Sequence, residues 1–187
     1  MLQKNFYFLA RRFVAGETVA SAVDAVRQIN ARGMSATLDF LGEDVRERDA
    51  ARRVRDVYFE MLDAIGSAGV DSNVSVKLTA MGLLIDEDLA LENLLAVMQR
   101  AGANADPFVR VDMEGSPVLE ATLRTVWRAF EIDRNVGPVL QAYLKRTPGD
   151  VDGAIARGAR VRLCKGAYKE PQEIAYKSMP TIRTRYL

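Results

Sequence analysis

The chain has 187 residues, 49% hydrophobic and 27% charged, enough for one domain with a sizeable core. Its 26 basic and 25 acidic residues nearly cancel, so no basic field marks a nucleic-acid partner. It has one cysteine and no histidine, which excludes an internal disulfide, fits a reducing, cytoplasmic setting and removes the commonest zinc ligand, the usual general base and every Ser-His-Asp triad.

In chain order, Phe6 to Phe13 reads as an amphipathic helix, and residues 1–17 as a helix and lead-in to a single domain spanning 1–187. Its Arg11-Arg12 flank leaves a membrane-surface role open, although no stretch approaches the ~20 apolar residues of a membrane span. Thr18 caps a helix with Val19, Ala22, Val23, Val26 and Ile29 on one face, ended by Gly33. A first strand covers Thr37 to Gly42. Asp44 to Gly69 predicts a long amphipathic helix with Val54, Val57, Tyr58, Met61, Leu62 and Ile65 apolar, and Val74 to Thr79 a second strand. Asp86 opens a helix closed by Gly102, followed by a strand from Val109 to Glu114. Ser116-Pro117 reads as a capping hydroxyl with proline at the first helical position. A strand from Val139 to Tyr143, a short helix from Asp150 to Gly158 and a strand from Val161 to Gly166 follow, then a loop-like tail with a helical pattern over Thr181 to Leu187.

Strands alternating with amphipathic helices predict an α/β fold with a parallel sheet. An open doubly-wound sheet buries both faces, so its strands run almost continuously apolar. These strands instead carry polar residues on one alternating face: Asp39, Lys77, Arg110 with Asp112, Gln141 and Arg162. That pattern suits a (β/α)8 barrel, whose active sites lie at the C-terminal strand ends. Only five βα units are present, fewer than such a barrel needs, so the chain is expected to be truncated at its C-terminal side. An unpaired edge at strand five and exposed apolar faces would make it unstable or aggregation-prone alone, and catalytically feeble.

Neither a P-loop nor a dinucleotide-binding glycine fingerprint is present. Lys77, mid-strand among apolar residues, needs a partner or an anion. It fits a carboxylate anchor, a Schiff-base nucleophile of a lyase or aldolase, or a structural ion pair with Asp39 or Asp112. Asp112 fits a partner of Lys77, a general base, or a magnesium ligand alongside Asp39 and Glu114. Arg162, Lys165, Gly166 and Tyr168 form a plausible cradle for a phosphate-bearing planar cofactor, and Gln141 suits a heterocycle edge. Cys164 reads as a small core residue rather than a nucleophile.

Several blocks, in order, resemble one family: Arg12-Phe13-Val14-Ala15-Gly16-Glu17-Thr18, Leu38-Asp39-Phe40-Leu41-Gly42-Glu43, Val74 to Thr79, Val111-Asp112-Met113-Glu114, Val139 to Leu144, and Arg162 to Pro171. Together they are similar to bacterial monofunctional proline dehydrogenase. The resemblance implies a distorted (β/α)8 barrel holding FAD, oxidising L-proline to Δ1-pyrroline-5-carboxylate and passing electrons to a quinone at the membrane surface. It implies Lys77 as substrate-binding through the proline carboxylate and Asp112 as its neighbour. Met113, Gln141 and Arg162 would contact the flavin, with Asp112 and Arg162 catalytic, while Lys165, Gly166 and Ala167 line the FAD chain, Tyr168 more weakly. Asp39 receives no role beyond an ion-pair partner. The family's later Ala-Thr-His-Asp segment and paired arginines do not occur here, which leaves a non-catalytic flavin-binding fragment as a further alternative.

Overall fold

A computed structural model describes residues 14–16 and 18–187; the expected helix over Phe6 to Phe13 lies outside them. Eleven elements follow one another: α1 (Val19–Asn30), β1 (Ala36–Asp39), α2 (Arg48–Ala68), β2 (Ser72–Val76), α3 (Glu87–Ala101), β3 (Val109–Val111), α4 (Ser116–Phe130), β4 (Val136–Gln141), α5 (Thr147–Arg157), β5 (Arg162–Cys164) and α6 (Met179–Tyr186). The five strands are parallel and hydrogen-bonded in sequence order. That order distinguishes the two candidate closures. A doubly-wound sheet reverses direction at a switch point, whereas this sheet winds one way, as a (β/α)8 barrel does. The result is a curled half-barrel with helices outside.

The outer sheet face is apolar. Val74, Val76, Val109, Val111 and Val136 are fully buried in one core with Val54, Tyr58, Leu62, Ile65, Leu94, Val97, Val126 and Phe130 of the covering helices. Each such valine contributes roughly 1.5–3 kcal/mol on burial. A second cluster, comprising Met113, Leu119, Leu123, Val139, Leu140, Tyr143, Leu144, Ala175 and Ile182, fastens α6 and the preceding loop to the end of β4. The concave face is polar. The outer edges of β1 and β5 have no strand partner among the described residues, and Leu41 and Val161 are exposed beside them. An apolar groove of about 800 Å³ runs along β1. No described helix is long and apolar enough to cross a membrane.

Most helix signals act as read. Thr18 caps α1 in a reciprocal capping box with Ser21, and Asp86 caps α3 through the Asp88 amide. Gly69 stops α2 in the left-handed conformation at φ +60°. Several readings are corrected: α5 begins at Thr147 rather than Asp150, and β4 runs from Val136 to Gln141 rather than from Val139 to Tyr143. α2 begins at Arg48 rather than Asp44, whose own φ is +60°. The strands end before their alternating pattern does, so Lys77 follows β2 and Asp112 follows β3 rather than lying mid-strand. Ser116 is the first helical residue of α4, not its cap. Its amide donates to Glu170 Oε1 at 2.7 Å, a carboxylate 54 residues away that is itself buried. A negative group at this position also meets the positive end of the helix dipole.

Glu170→Ala is therefore expected to destabilise the chain by about 1–2 kcal/mol, while Ser116→Ala stays within about 0.5 kcal/mol of wild type. Urea denaturation of both variants checks this; the reverse order would restore Ser116 as the cap.

Candidate active site

Residues facing inward from β1, β2, β3 and β5 line a cleft of about 530 Å³ on the concave face. They form two tiers. In the lower tier, Arg110 Nη1 and Arg162 Nη2 both donate to Thr37 Oγ1, at 3.0 and 3.2 Å. Thr37 donates to Asn73 Oδ1 at 2.8 Å, and Asn73 donates to Asp106 Oδ2 at 2.7 Å. Arg160 lies 3.7 Å from Asp106. Burial, then the charges of Arg162 and Arg160, pull the Arg110 guanidinium below its ordinary value. Its Nε is buried with no partner among the described residues.

The upper tier lies at the C-terminal strand ends. Lys77 Nζ is 2.7 Å from Asp39 Oδ2, with both side chains about one-fifth to one-quarter exposed. Asp39 Oδ1 accepts from the Tyr58 hydroxyl at 3.0 Å. Ser75 Oγ donates to Asp112 Oδ1 at 2.7 Å. Burial lowers the affinity of Lys77 for its proton, but the Asp39 hydrogen bond and the charges of Asp39, Asp112 and Glu114 outweigh it and raise its pKa. Burial likewise pushes the Asp39 carboxyl up, with Lys77 pulling back and Asp112 reinforcing the rise. One ammonium among several carboxylates thus holds its proton tightly. Glu114 is buried, accepts from the Thr79 amide at 3.1 Å and bonds the Thr79 hydroxyl.

The cluster shows which carboxylate Lys77 pairs with. The hydrogen-bonded partner of Lys77 is Asp39, while Asp112 acts on it through charge. Among the described residues no three acidic or sulfur ligands gather as a metal site. The polar strand positions do not all meet, however. Gln141 is buried away from the cleft, its Nε2 donating to Glu114 O at 3.2 Å and its Oε1 facing the Ala167 amide at 3.4 Å. Met113 is buried in the second apolar cluster. Cys164 packs partly against the same cluster, and burial raises its thiol pKa.

Past β5, Lys165 and Ala167 are exposed. The contacts of the two β5 cations are with neutral groups: Arg162 with Thr37, and Lys165 over the Tyr186 ring at 5.6 Å. Tyr168 donates to Glu43 Oε2 at 3.2 Å. Two cations on and just past β5 whose contacts are with neutral groups, with the buried Tyr143 hydroxyl lacking a partner among the described residues, are a donor set that fits an anionic cofactor. The sequence pattern missed Tyr58 and Ser75. Tyr58 was read only by its ring; the sole hint was a hydroxyl inside an otherwise apolar helix stripe.

Comparison with known proteins bears on this geometry. Residues 22–181 match the family model for proline dehydrogenase. The chain is 38% identical over 167 residues to proline dehydrogenase 1 of Bacillus subtilis subsp. natto, covering 89% of this chain and 55% of that protein. It is 33% identical to the proline dehydrogenase of Deinococcus radiodurans, covering 100% of this chain and 61% of that one. The chain thus spans little more than half the length of these curated relatives. A crystal structure of proline utilization A from Bdellovibrio bacteriovorus superposes with a TM-score of 0.84 at 24% identity, covering 99% of this chain and 24% of that one. That likeness is one of fold.

The tightest backbone constraint at the site is Gly166. Its φ is +113°, and a Cβ there would lie 2.2 Å from the Tyr143 ring. The glycine lets the turn after β5 close against Tyr143. Gly166→Ala is expected to destabilise the chain by at least about 1–3 kcal/mol from backbone strain alone, read as a lowered urea midpoint. The raised pKa of Lys77 carries a pH signature. A raised folded-state value contributes stability that is fully present below the ordinary lysine value of 10.5 and lost as pH climbs through the folded value. The stability gap between wild type and Lys77→Met should therefore be constant through neutral pH and narrow above pH 10.5. A gap that widens there would contradict the pairing.

Proposed function

We propose, from the premise that this chain belongs to the proline dehydrogenase family, that it supplies the first five βα units of an FAD-dependent barrel oxidising L-proline to Δ1-pyrroline-5-carboxylate. The observation that carries the reading is Lys77. It is a partly buried ammonium at the C-terminal strand ends, held in one orientation by Asp39 and kept charged by the surrounding carboxylates.

An amino-acid carboxylate is the natural ligand for such a group. Lys77 would bind it, and Asp112, anchored by Ser75, would meet the positively charged ring nitrogen from the other side. Arg162 within the cleft and Lys165 just past β5 place positive charge along that strand, where the anionic parts of FAD would be held, with Gly166, Ala167 and Gln141 giving backbone and amide contacts. When bound, FAD supplies the electron sink for the hydride that leaves the carbon next to the ring nitrogen. The nitrogen loses one proton and a C=N bond forms. The chain's own task is positioning and charge compensation, which needs no histidine. Met113 would reach the cofactor only after leaving its apolar cluster. Reoxidation by a quinone at a membrane surface belongs to the same reading.

Flavin titration of the chain tests it. FAD fluorescence is expected to be quenched on binding, and the double variant Arg162→Ala with Lys165→Ala should weaken binding at least about tenfold, the loss of one or two charge-assisted contacts. Anaerobic L-proline is expected to bleach the bound flavin slowly, and Lys77→Ala to raise the proline concentration needed by about tenfold or more without releasing flavin. A chain that binds no flavin, or one in which borohydride traps a carbonyl compound on Lys77, would overturn the proposal.

A further inference from the structure

We propose that Tyr58 is a positioning residue for Lys77: its hydroxyl is wedged between the ends of β1 and β2 and fixes the carboxylate of Asp39 that receives the Lys77 ammonium. The proposal takes its meaning for catalysis from the reading above, although its geometry is independent of it.

The wedge follows from the ladder. β1 and β2 pair in parallel, Ala36 with Ser72 through Asp39 with Ser75, and the Ala36 amide donates to Asp71 O at 3.2 Å. In a parallel ladder, donors on one strand recur at every second residue and reach the residue before their partner. After Ala36 the donors are Leu38 and then Phe40, whose acceptor in an unbroken ladder is Ser75 O. That last bond is replaced. The Phe40 amide donates to Tyr58 Oη at 3.3 Å, and the single Tyr58 proton is shared between Ser75 O at 2.9 Å and Asp39 Oδ1 at 3.0 Å. A phenol can accept and donate at once, so it satisfies both backbone groups while keeping the strands apart.

Asp39 belongs to the last ladder pair on β1 and turns its Oδ1 to the same hydroxyl at 3.0 Å, leaving Oδ2 for Lys77 at 2.7 Å. Both carboxylate oxygens are thereby fixed, one by α2 and one by the ammonium. Ser75, whose carbonyl shares the Tyr58 proton with Asp39, also holds Asp112 through its own hydroxyl. Tyr58 is almost wholly buried in the core, so its position is set by helix packing rather than by the site. Burial and the Asp39 charge raise its pKa, so the hydroxyl keeps its proton at working pH. The groups facing Lys77 are Asp39 from β1, with Asp112 and Glu114 beyond β3. Only the first is gripped by Tyr58.

The test is the reactivity of the Lys77 amine in the full chain, measured with acetic anhydride across pH and mapped by mass spectrometry. Wild type should react only above the ordinary lysine range. Tyr58→Phe keeps the ring and removes the wedge, so labelling at pH 9 should rise about threefold or more, the change that half a pKa unit brings. Asp39→Asn should raise it further. If Tyr58→Phe lowers the urea midpoint but leaves the Lys77 labelling curve unchanged, its role is packing and the proposal fails. An unchanged curve in Asp39→Asn also overturns it, whether or not the tyrosine variant folds. L-proline added to the FAD-loaded chain should slow labelling of Lys77. Absence of that protection, with both variants behaving as expected, counts against the substrate reading and leaves the Tyr58 role standing.

Discussion

The burial of the outward-facing valines fixes everything else in this half-barrel. Val74 and Val76 on β2, and Val109 and Val111 on β3, are fully buried beneath the helices. Side chains on a strand alternate, so anchoring one set outward sends the other set inward. A slip of one residue would bury Arg110 against the helices and expose valines to the cleft, at a cost no polar contact could repay. The positions of Arg110, Ser75 and the residues that follow them are consequences of hydrophobic register.

Register brings charge together without balancing it locally. The lower tier gathers Arg110, Arg160 and Arg162, and the upper tier gathers Asp39, Asp112 and Glu114 around one lysine. Burial and the neighbouring arginines lower the proton affinity of Arg110, while the carboxylates around Lys77 outweigh its burial and raise its own. The cleft is thus polarised along the barrel axis, positive below and negative at the C-terminal strand ends, with Lys165 set to one side. A zwitterionic substrate and an anionic cofactor are ligands that such a surface can discriminate by orientation.

Much of this was legible in the residues themselves. Five alternating segments separated by capped helices give the winding, and polar alternation marks Asp39, Lys77, Arg110, Asp112 and Arg162 as inward. What was hidden is nonlocal. Ser116 before Pro117 has the appearance of a cap, and only the fold reveals a carboxylate 54 residues on that takes the role. The alternation continues through Lys77 and Asp112, beyond the last paired strand residues Val76 and Val111, so it cannot show where a strand ends. Gln141 obeys the same alternation yet is drawn into bonds with Glu114 O and the Ala167 amide. Tyr58 satisfies helical periodicity through its ring, which conceals the work of its hydroxyl.

The Glu170 contact has a consequence for the order of events as the chain is made. Helix α4 carries its hydrophobic stripe from Leu119 onward and can dock early, but the acceptor for its first amide belongs to the segment after β5. During synthesis at about 5–20 residues per second, α4 waits several seconds with its leading turn frayed. The turn locks only when the loop bearing Lys165, Gly166 and Ala167 has emerged and seated. The bond that satisfies the first amide of α4 is the same one that ties down the loop after β5, so the start of the helix and the charge presented at β5 are coupled.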